Sequence, residues 1–281
     1  MGEGPNTTRD LERALERCRE RLKQTEEELK ALAYVVSHDL RAPLINLKGF
    51  SYELRASLDV VRPVVEEALP DLDEAHQVEV CRAIQDDIPE SMEFIELSTS
   101  QLEQLVSSIL VLSRLTRRPL QFETLFPGDV VQQAWRAIAD EVDEKLVGLT
   151  VEPLPQVRAD RDSLQMIFEY VLKNAAIYRD PDQLVQISVS GESSENSTVF
   201  HVRDTGRAIA DRDMDKVFEP LRRGGAQDVP GDGMGMAYAR TLVRRHDGRI
   251  WCTSEEGEGA AFHFTISKHL SDEGGGYAGE K

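Results

Sequence analysis

The chain has 281 residues, the length of about two modest domains. Hydrophobic residues make up 40% and charged residues 30%, a composition that excludes a collagen-like chain, a disulfide scaffold and wholesale disorder. The 51 acidic and 33 basic residues give a formal net charge of −18, which repels polyanions and excludes a general nucleic-acid binder.

The first predicted element is a helix with apolar residues at heptad spacing. From Leu11 to Val36 these residues recur at alternating intervals of four and three, with Glu, Arg and Lys filling most positions between them. So narrow an apolar stripe leaves a single helix little to pack on, and it favours a coiled coil between helices. We assign residues 1–33 to an N-terminal coiled-coil signalling helix.

A second apolar seam, from Met92 to Ile109, has the same spacing and predicts a second helix. The two helices and their connection form a hairpin, and two hairpins form a four-helix bundle. Because Pro119 disfavours a helical conformation at the residue before it, we end this all-α dimerisation domain, residues 34–118, at that point.

The connection between the two helices, about residues 61–88, lies in an acidic region. Between Arg62 and Arg114 the chain has twelve carboxylates and one basic residue. We expect one or two short helices there, and we interpret the acidity as a solvated surface rather than a binding site.

Strands and helices alternate in residues 119–270, which predicts an α/β sandwich with a helical layer on a sheet. The tail, residues 271–281, contains a run of three glycines and is expected to be disordered. The predicted strands cover 120–125, 147–151, 184–190, 199–202, 249–253 and 261–267, and the predicted helices cover 128–144, 161–178 and 234–246.

No membrane insertion by this chain is expected. The longest stretch without a charged side chain, Gln104 to Ser113, is far shorter than the ~20 apolar residues of a membrane-spanning helix. The first residues contain no basic segment followed by an apolar run, so we expect a cytoplasmic protein. The three cysteines include no CxxC pair and are predicted to be reduced thiols.

A histidine follows the first seam, in the sequence Ser37-His38-Asp39. Neighbouring helical residues point about 100° apart, so these three side chains cannot form a hydrolase triad. His38 lies off the seam and should face outward, where an imidazole is available as a nucleophile or is an ordinary surface residue. Pro43 lacks the N–H that would bind the Asp39 carbonyl, so we expect a bend just after His38.

Two glycine-containing segments and one helical asparagine complete the candidate site. Asp204 ends a predicted strand two residues before Gly206, a pattern that suits a buried acceptor beside a planar ligand and also occurs in ordinary turns. The segment 231–237 opens a helix whose free N–H groups could bind phosphate, although a capped helix after a flexible loop is the plainer interpretation. Asn174 lies within a helix between apolar neighbours, and its amide oxygen suits Mg²⁺.

In this order the clusters resemble the transmitter region of sensor histidine kinases, over about residues 11–267. Residues 37–44 resemble the H-box, 172–178 the N-box, 204–209 and 231–237 the two G-boxes, and 217–220 the F-box. The resemblance implies a helical-hairpin dimerisation and phosphoacceptor domain followed by a Bergerat-type ATP-binding domain, shared with gyrase, a heat-shock chaperone and mismatch-repair ATPases.

The resemblance also implies roles for individual residues. His38 would accept the γ-phosphoryl group of ATP with Asp39 as its hydrogen-bond partner or base, and Asn174 would coordinate Mg²⁺. The phosphoryl group would then pass to an Asp of a separate response-regulator receiver domain, with an upstream sensor domain or input protein acting on the homodimer. Residues that would bind the nucleotide or its lid are Asn174, Tyr178, Asp204, Gly206, Ile209, Phe218, Arg222, Gly231, Gly233, Met234, Gly235 and Met236.

The chain departs from the family pattern near the N-box. Tyr170 and Ile177 stand where many members have a second Asn and a Lys, so Mg²⁺ and phosphate binding would be weaker or would use Lys173 or Arg179. Ala42 stands where phosphatase-competent members have Thr or Asn, which predicts poor dephosphorylation of the partner.

Two alternatives remain open. An ATP hydrolase of the same superfamily would need a water-activating carboxylate where this chain has Tyr170, which disfavours hydrolysis. A degenerate scaffold that binds nucleotide without phosphoryl transfer is motivated by Tyr170 and Ile177.

Overall fold

The computed structural model describes residues 4–142, 146–179, 183–220 and 233–270, although not every side chain of the first helix. It divides into two compact units, Met1–Ser113 and Arg114–Lys281, and each is described by itself. A helical unit therefore precedes an α/β unit, as the sequence predicts.

The first unit is a helical hairpin. Its long helices are α1 (Gly4–Ala68) and α3 (Ile88–Arg117), and the short helix α2 (Glu74–Arg82) lies between them, preceded by a 3₁₀ turn (Leu69–Asp71) and followed by a π-helical segment (Ala83–Asp87). The last residues of α3 belong to the second unit.

Charged pairs across the hairpin show that α1 and α3 are antiparallel. The Lys48 ammonium lies 3.1 Å from a carboxylate oxygen of Glu103, and the Arg55 guanidinium lies 3.0 Å from one of Glu96. From the first pair to the second, the residue number rises by seven on α1 and falls by seven on α3, so the two helices run in opposite directions. Between the helices the side chains of Leu44, Ser51, Met92, Thr99 and Val106 are buried.

Helix α1 is longer than the sequence predicts. It continues through Pro43 and Pro63 and ends at Ala68, within the expected connection. Pro63 removes one helical N–H donor, but α1 is largely solvent-exposed there, so water can bind the freed carbonyl. Helix α1 ends at Ala68 because the next residue, Leu69, precedes Pro70, and a residue before proline is disfavoured in the α conformation.

No helix in the described ranges has a stretch long and apolar enough to span a bilayer. The three cysteines are free thiols.

The second unit packs three helices, α4 (Pro127–Ala137), α5 (Arg161–Ile177) and α6 (Gly235–Arg244), with a five-stranded sheet. The sheet order is β2-β4-β5-β7-β6, in which β2 and β4 are parallel and the other neighbours are antiparallel. Its strands are β2 (Val147–Val151), β4 (Val185–Ser193), β5 (Ser197–Asp204), β6 (Ile250–Glu255) and β7 (Gly259–Ser267). A separate antiparallel pair joins β1 (Phe122–Leu125) to β3 (Val157–Asp160).

An aromatic cluster joins the sheet to α5. Phe200 on β5 and Phe264 on β7 are paired residues of neighbouring strands, and their rings are tilted against each other. Both rings also pack edge-on against Phe168, and the ring centroids in these three contacts are 5.1–5.5 Å apart. All three side chains are fully buried. This contact places α5 across the central strands and so positions the residues at the two ends of that helix.

The secondary structure differs from the sequence-based prediction at a few points. The strand β3 was not predicted, because two of its four residues are charged and its partner β1 is remote in sequence. Helix α4 ends at Ala137 rather than Glu144, and a 3₁₀ turn (Ala139–Glu141) follows it.

Candidate functional site

A buried carboxyl group lies at the end of the central strand β5. Asp204 is 3% exposed, and its Oδ1 accepts a hydrogen bond of 2.8 Å from the backbone N–H of Gly206. Burial raises the pKa of Asp204 to about 6, while backbone hydrogen bonds from Gly206 and Ala260 act in the opposite direction. The site therefore offers a fixed polar group within an apolar surrounding, an arrangement that suits recognition of a planar ligand.

Two glycines make the position of Asp204 possible. A Cβ at Gly206 would lie 2.6 Å from the Tyr178 carbonyl oxygen and 2.8 Å from Asp204 Oδ1. Gly259 has a φ of +85°, and a Cβ there would lie 2.1 Å from the Asp204 carbonyl oxygen. Only glycine permits such close approaches of backbone to backbone.

The loop after β5 is held against the C-terminal end of α5. The backbone N–H of Arg207 donates to the Tyr178 carbonyl, at 3.0 Å, and the N–H of Ile209 donates to Ser254 Oγ, at 2.8 Å. The structure therefore brings Asp204, Gly206 and Tyr178 together.

One face of α5 connects this loop with the start of α6. The N-terminus of α5 is capped by Asp160, whose carboxylate accepts from the Ser163 N–H at 2.9 Å. Tyr170, Asn174 and Tyr178 follow at intervals of four, all partly buried. At 1.5 Å per residue the two tyrosines are about 12 Å apart along the helix, with Asn174 midway.

Tyr170 packs directly on the first turn of α6. A Cβ at Gly235 would lie 3.3 Å from its Cδ1, and its ring centroid is 5.4 Å from that of Tyr238. Met234 and Met236, on either side of Gly235, are buried. From the sequence Tyr170 is only a departure from the family pattern, and its contact with Gly235 could not be predicted because the two residues are remote in sequence.

Several predicted residues lie at or beyond the limits of the described segments. Phe218 is buried, with its ring centroid 6.3 Å from that of Phe262, and it lies just before residues 221–232. Gly233, with a φ of +68°, is described. Arg222 and Gly231 lie outside the described residues.

The predicted nucleophile belongs to the other unit. His38 lies within α1, and its side chain is outside the described residues. Asp39 is exposed, and Leu44 faces the hairpin core.

Metal binding would depend on Asn174 and on a bound ligand. Within the described ranges no group of three or more His, Cys, Asp or Glu side chains could hold a metal ion. The Lys173 ammonium contacts the Glu141 carboxylate, which neutralises it locally. A Mg²⁺ ion near Asn174 would take most of its oxygen ligands from phosphates and water, as Mg²⁺ commonly does.

Comparisons with known proteins find a matching family for part of the chain, and similar sequences and folds. Residues 159–270 match the family of histidine kinase-, DNA gyrase B-, and HSP90-like ATPases. The chain is 31% identical over 264 residues to the methanogenesis regulatory histidine kinase FilI of Methanothrix harundinacea (strain 6Ac), covering 92% of this chain and 27% of that protein. It is 28% identical over 246 residues to cyanobacterial phytochrome A of Nostoc sp. (strain PCC 7120 / SAG 25.82 / UTEX 2576), covering 87% of this chain and 29% of that protein.

The chain thus spans about three tenths of the length of these curated relatives. Among solved structures, full-length ShkA in complex with AMPPNP has 21% sequence identity and a TM-score of 0.50, covering 81% of this chain and 47% of that chain. This likeness supports the fold.

Proposed function

We propose that this chain, which is similar to sensor histidine kinases and carries an ATPase domain of their family at residues 159–270, is a protein-histidine kinase of a two-component system. It would transfer the γ-phosphoryl group of ATP to His38 and then to an aspartate of a separate response regulator. The observation that carries the proposal is the buried Asp204, held by Gly206 against the end of α5 inside the matched domain.

The nucleotide base would bind beside Asp204. The carboxylate would accept a hydrogen bond from the adenine amino group, and Gly206 would let the base lie against the backbone. Tyr178 lies at the same end of α5, within reach of this loop. Because the pKa of Asp204 is raised to about 6, the acceptor is mainly ionised at pH 7.

The phosphates would bind at the other end of the same helix face. The N–H groups in the first turn of α6 favour a negative charge, and Gly231, Gly233 and Gly235 would allow the backbone to approach it. Asn174, midway between the two tyrosines, would hold Mg²⁺, which neutralises phosphate charge when bound. Phe218 would anchor the lid, residues 221–230, in which Arg222 lies.

The chemical step would be a direct transfer between ATP and His38. An imidazole nitrogen of His38 attacks the γ-phosphorus, the N–P bond forms, and the bond to the β–γ bridging oxygen breaks with ADP as the leaving group. Asp39 accepts a hydrogen bond or the proton from the other ring nitrogen. Most of the rate in such transfers comes from positioning and charge stabilisation.

The exposed apolar residues of one copy support the proposal of a homodimer through the hairpin domain, residues 34–118. On α1, Leu47, Leu54 and Val61 recur every seven residues and are 47%, 59% and 49% exposed. On α3, Ile95, Leu102 and Ile109 also recur every seven residues and are 40–46% exposed. A second copy would bury both seams as a four-helix bundle, and the coiled-coil pattern of residues 1–33 would continue it towards an upstream sensor.

Phosphohistidine labelling tests the proposal. The chain incubated with γ-labelled ATP and Mg²⁺ should acquire acid-labile, alkali-stable label, which His38→Ala should abolish. His76→Ala, at an exposed histidine of α2, is the matched control and should label normally. Added receiver domains of response regulators should then take up the label from the protein.

The same experiment separates the alternatives. Release of free phosphate without labelled protein would support an ATP hydrolase, and nucleotide binding with neither product would support a scaffold. The contact of Tyr170 with Gly235 favours the kinase over the hydrolase, because the position that would hold a water-activating carboxylate contains a packed ring.

A further inference from the structure

The C-terminal end of α3 has an unusual hydrogen-bonding problem. The last four carbonyl groups of a helix need donors from outside the regular helical pattern. The Leu115 carbonyl would ordinarily bind the N–H of residue 119, but residue 119 is a proline and has none. The donor for this carbonyl is therefore either water or a group from elsewhere in the fold.

Arg245 supplies that donor from the end of α6. Its Nη1 donates to the Leu115 carbonyl at 2.6 Å, and its Nη2 donates to the Arg118 carbonyl at 2.5 Å. A planar guanidinium suits such a paired contact, and its positive charge stabilises the negative end of the α3 dipole. We call Arg245 and these two carbonyl groups the helix-end clasp.

The residue after Arg245 fixes the end of α6. His246 is fully buried, its Nδ1 donates to the Leu242 carbonyl at 2.8 Å, and its Nε2 accepts from the Asp160 N–H at 3.1 Å. These contacts require the neutral imidazole, in agreement with a pKa lowered by burial. Arg245 therefore extends from a rigidly held position.

The same segment is also held by the start of α5. The Arg118 guanidinium lies 2.6 Å from a carboxylate oxygen of Asp162 and 3.5 Å from one of Asp160. Asp160 caps α5 and accepts from the Gln121 N–H at 2.8 Å. Thus α5 and α6, which carry Asn174 and Gly235, also hold the point at which α3 enters the second unit.

We propose that Arg245 is a positioning residue for phosphoryl transfer: the helix-end clasp holds the last turn of α3, residues 114–117, within the second unit. This inference rests on the proposed kinase function. Helix α3 begins in the unit that contains His38, so a loosened clasp would slow phosphoryl transfer to His38 without changing the nucleotide site.

Three variants of the full-length chain test the proposal. Arg245→Met removes both hydrogen bonds, and Arg245→Lys keeps the charge without the fork of donors. Arg244→Met, at an exposed arginine of the last turn of α6, is the matched control. The readouts are amide hydrogen exchange of residues 114–118, affinity for a fluorescent ATP analogue, and the rate of His38 labelling at saturating ATP.

We expect Arg245→Met to exchange faster at residues 114–118, to bind the analogue with unchanged affinity, and to label His38 about tenfold more slowly or worse, since small misplacements cost that much. Arg245→Lys should be intermediate, which keeps the test informative if the methionine variant does not fold, and Arg244→Met should match the wild type.

Unchanged exchange in both Arg245 variants overturns the clasp, and faster exchange with wild-type labelling overturns the positioning role alone. A wild-type chain that binds nucleotide without labelling His38 overturns the proposed function, and the positioning role with it.

Discussion

Gly259 and Gly257 offer a test of how the backbone holds Asp204. Both glycines have a φ of +85°, so alanine at either position adopts a backbone conformation that costs roughly 1–2 kcal/mol. A Cβ at Gly257 meets nothing within 4 Å, whereas a Cβ at Gly259 would lie 2.1 Å from the Asp204 carbonyl oxygen and 2.9 Å from its carbonyl carbon. The two substitutions therefore share the conformational cost and differ in the clash.

We expect Gly259→Ala to lower the free energy of unfolding by about 1–3 kcal/mol more than Gly257→Ala does, the usual cost of overpacking. It should also weaken nucleotide binding, because relief of the clash must displace Asp204 or its loop. Gly257→Ala should bind nucleotide as the wild type does.

The protein carries its own probe for this measurement. Its two tryptophans, Trp135 and Trp251, both lie in the second unit, so fluorescence during urea unfolding reports on that unit within the full-length chain. Affinity for a fluorescent ATP analogue gives the second readout. Equal losses of stability and affinity in the two variants would show that the close approach at Gly259 does not position Asp204.

Three further predictions concern protons and the phosphoacceptor helix. The pKa of Asp204 rises from 3.8 to about 6 on folding, so the unfolding free energy should fall by about 2–3 kcal/mol as pH rises through that window, and urea titrations of Asp204→Asn should lack this decrease. The effect of His263 has the opposite sign, because burial and then the neighbouring His201, whose Nδ1 lies 2.7 Å from that of His263, lower the pKa of His263. The free energy of unfolding should therefore fall as pH falls below 6.5, and His263→Gln should make this fall smaller. Ala42→Thr should speed loss of phosphate from a phosphorylated receiver domain relative to wild type, and equal rates would remove the explanation given for poor dephosphorylation.

The local pattern of the sequence was sufficient to predict most elements of the fold. Heptad spacing predicted α1 and α3, and the strand Val147–Val151 has the predicted bounds. The strand β3 could not be predicted, because its evidence is its pairing with β1, more than thirty residues away. Helix α1 continues past Pro63 because water can bind the carbonyl that Pro63 leaves without a donor. The spacing of apolar residues in the sequence gives no information about this solvation.

The candidate site was predictable only as a set of separate residues. The order of the motifs indicated Asp204, Gly206 and Asn174, but not that the Tyr178 carbonyl lies 2.6 Å from the position of a Cβ at Gly206. Tyr170 appeared only as a departure, although its ring packs on α6. Such contacts form between segments that are remote in sequence. A single sequence does not show which remote segments lie close together in the fold.

The pairing of β5 with β7 has a consequence for how freely the site can change. Between these two neighbouring strands the chain runs from residue 205 to residue 258 and includes helix α6 and strand β6. The entropy of closing a flexible loop grows only with the logarithm of its length, so doubling the length of a connecting segment costs about 0.6 kcal/mol. Insertions in the proposed lid, residues 221–230, should therefore be tolerated by the fold, whereas a slip of one residue in the pairing of Asp204 with Ala260 would turn the carboxyl to the opposite face of the sheet.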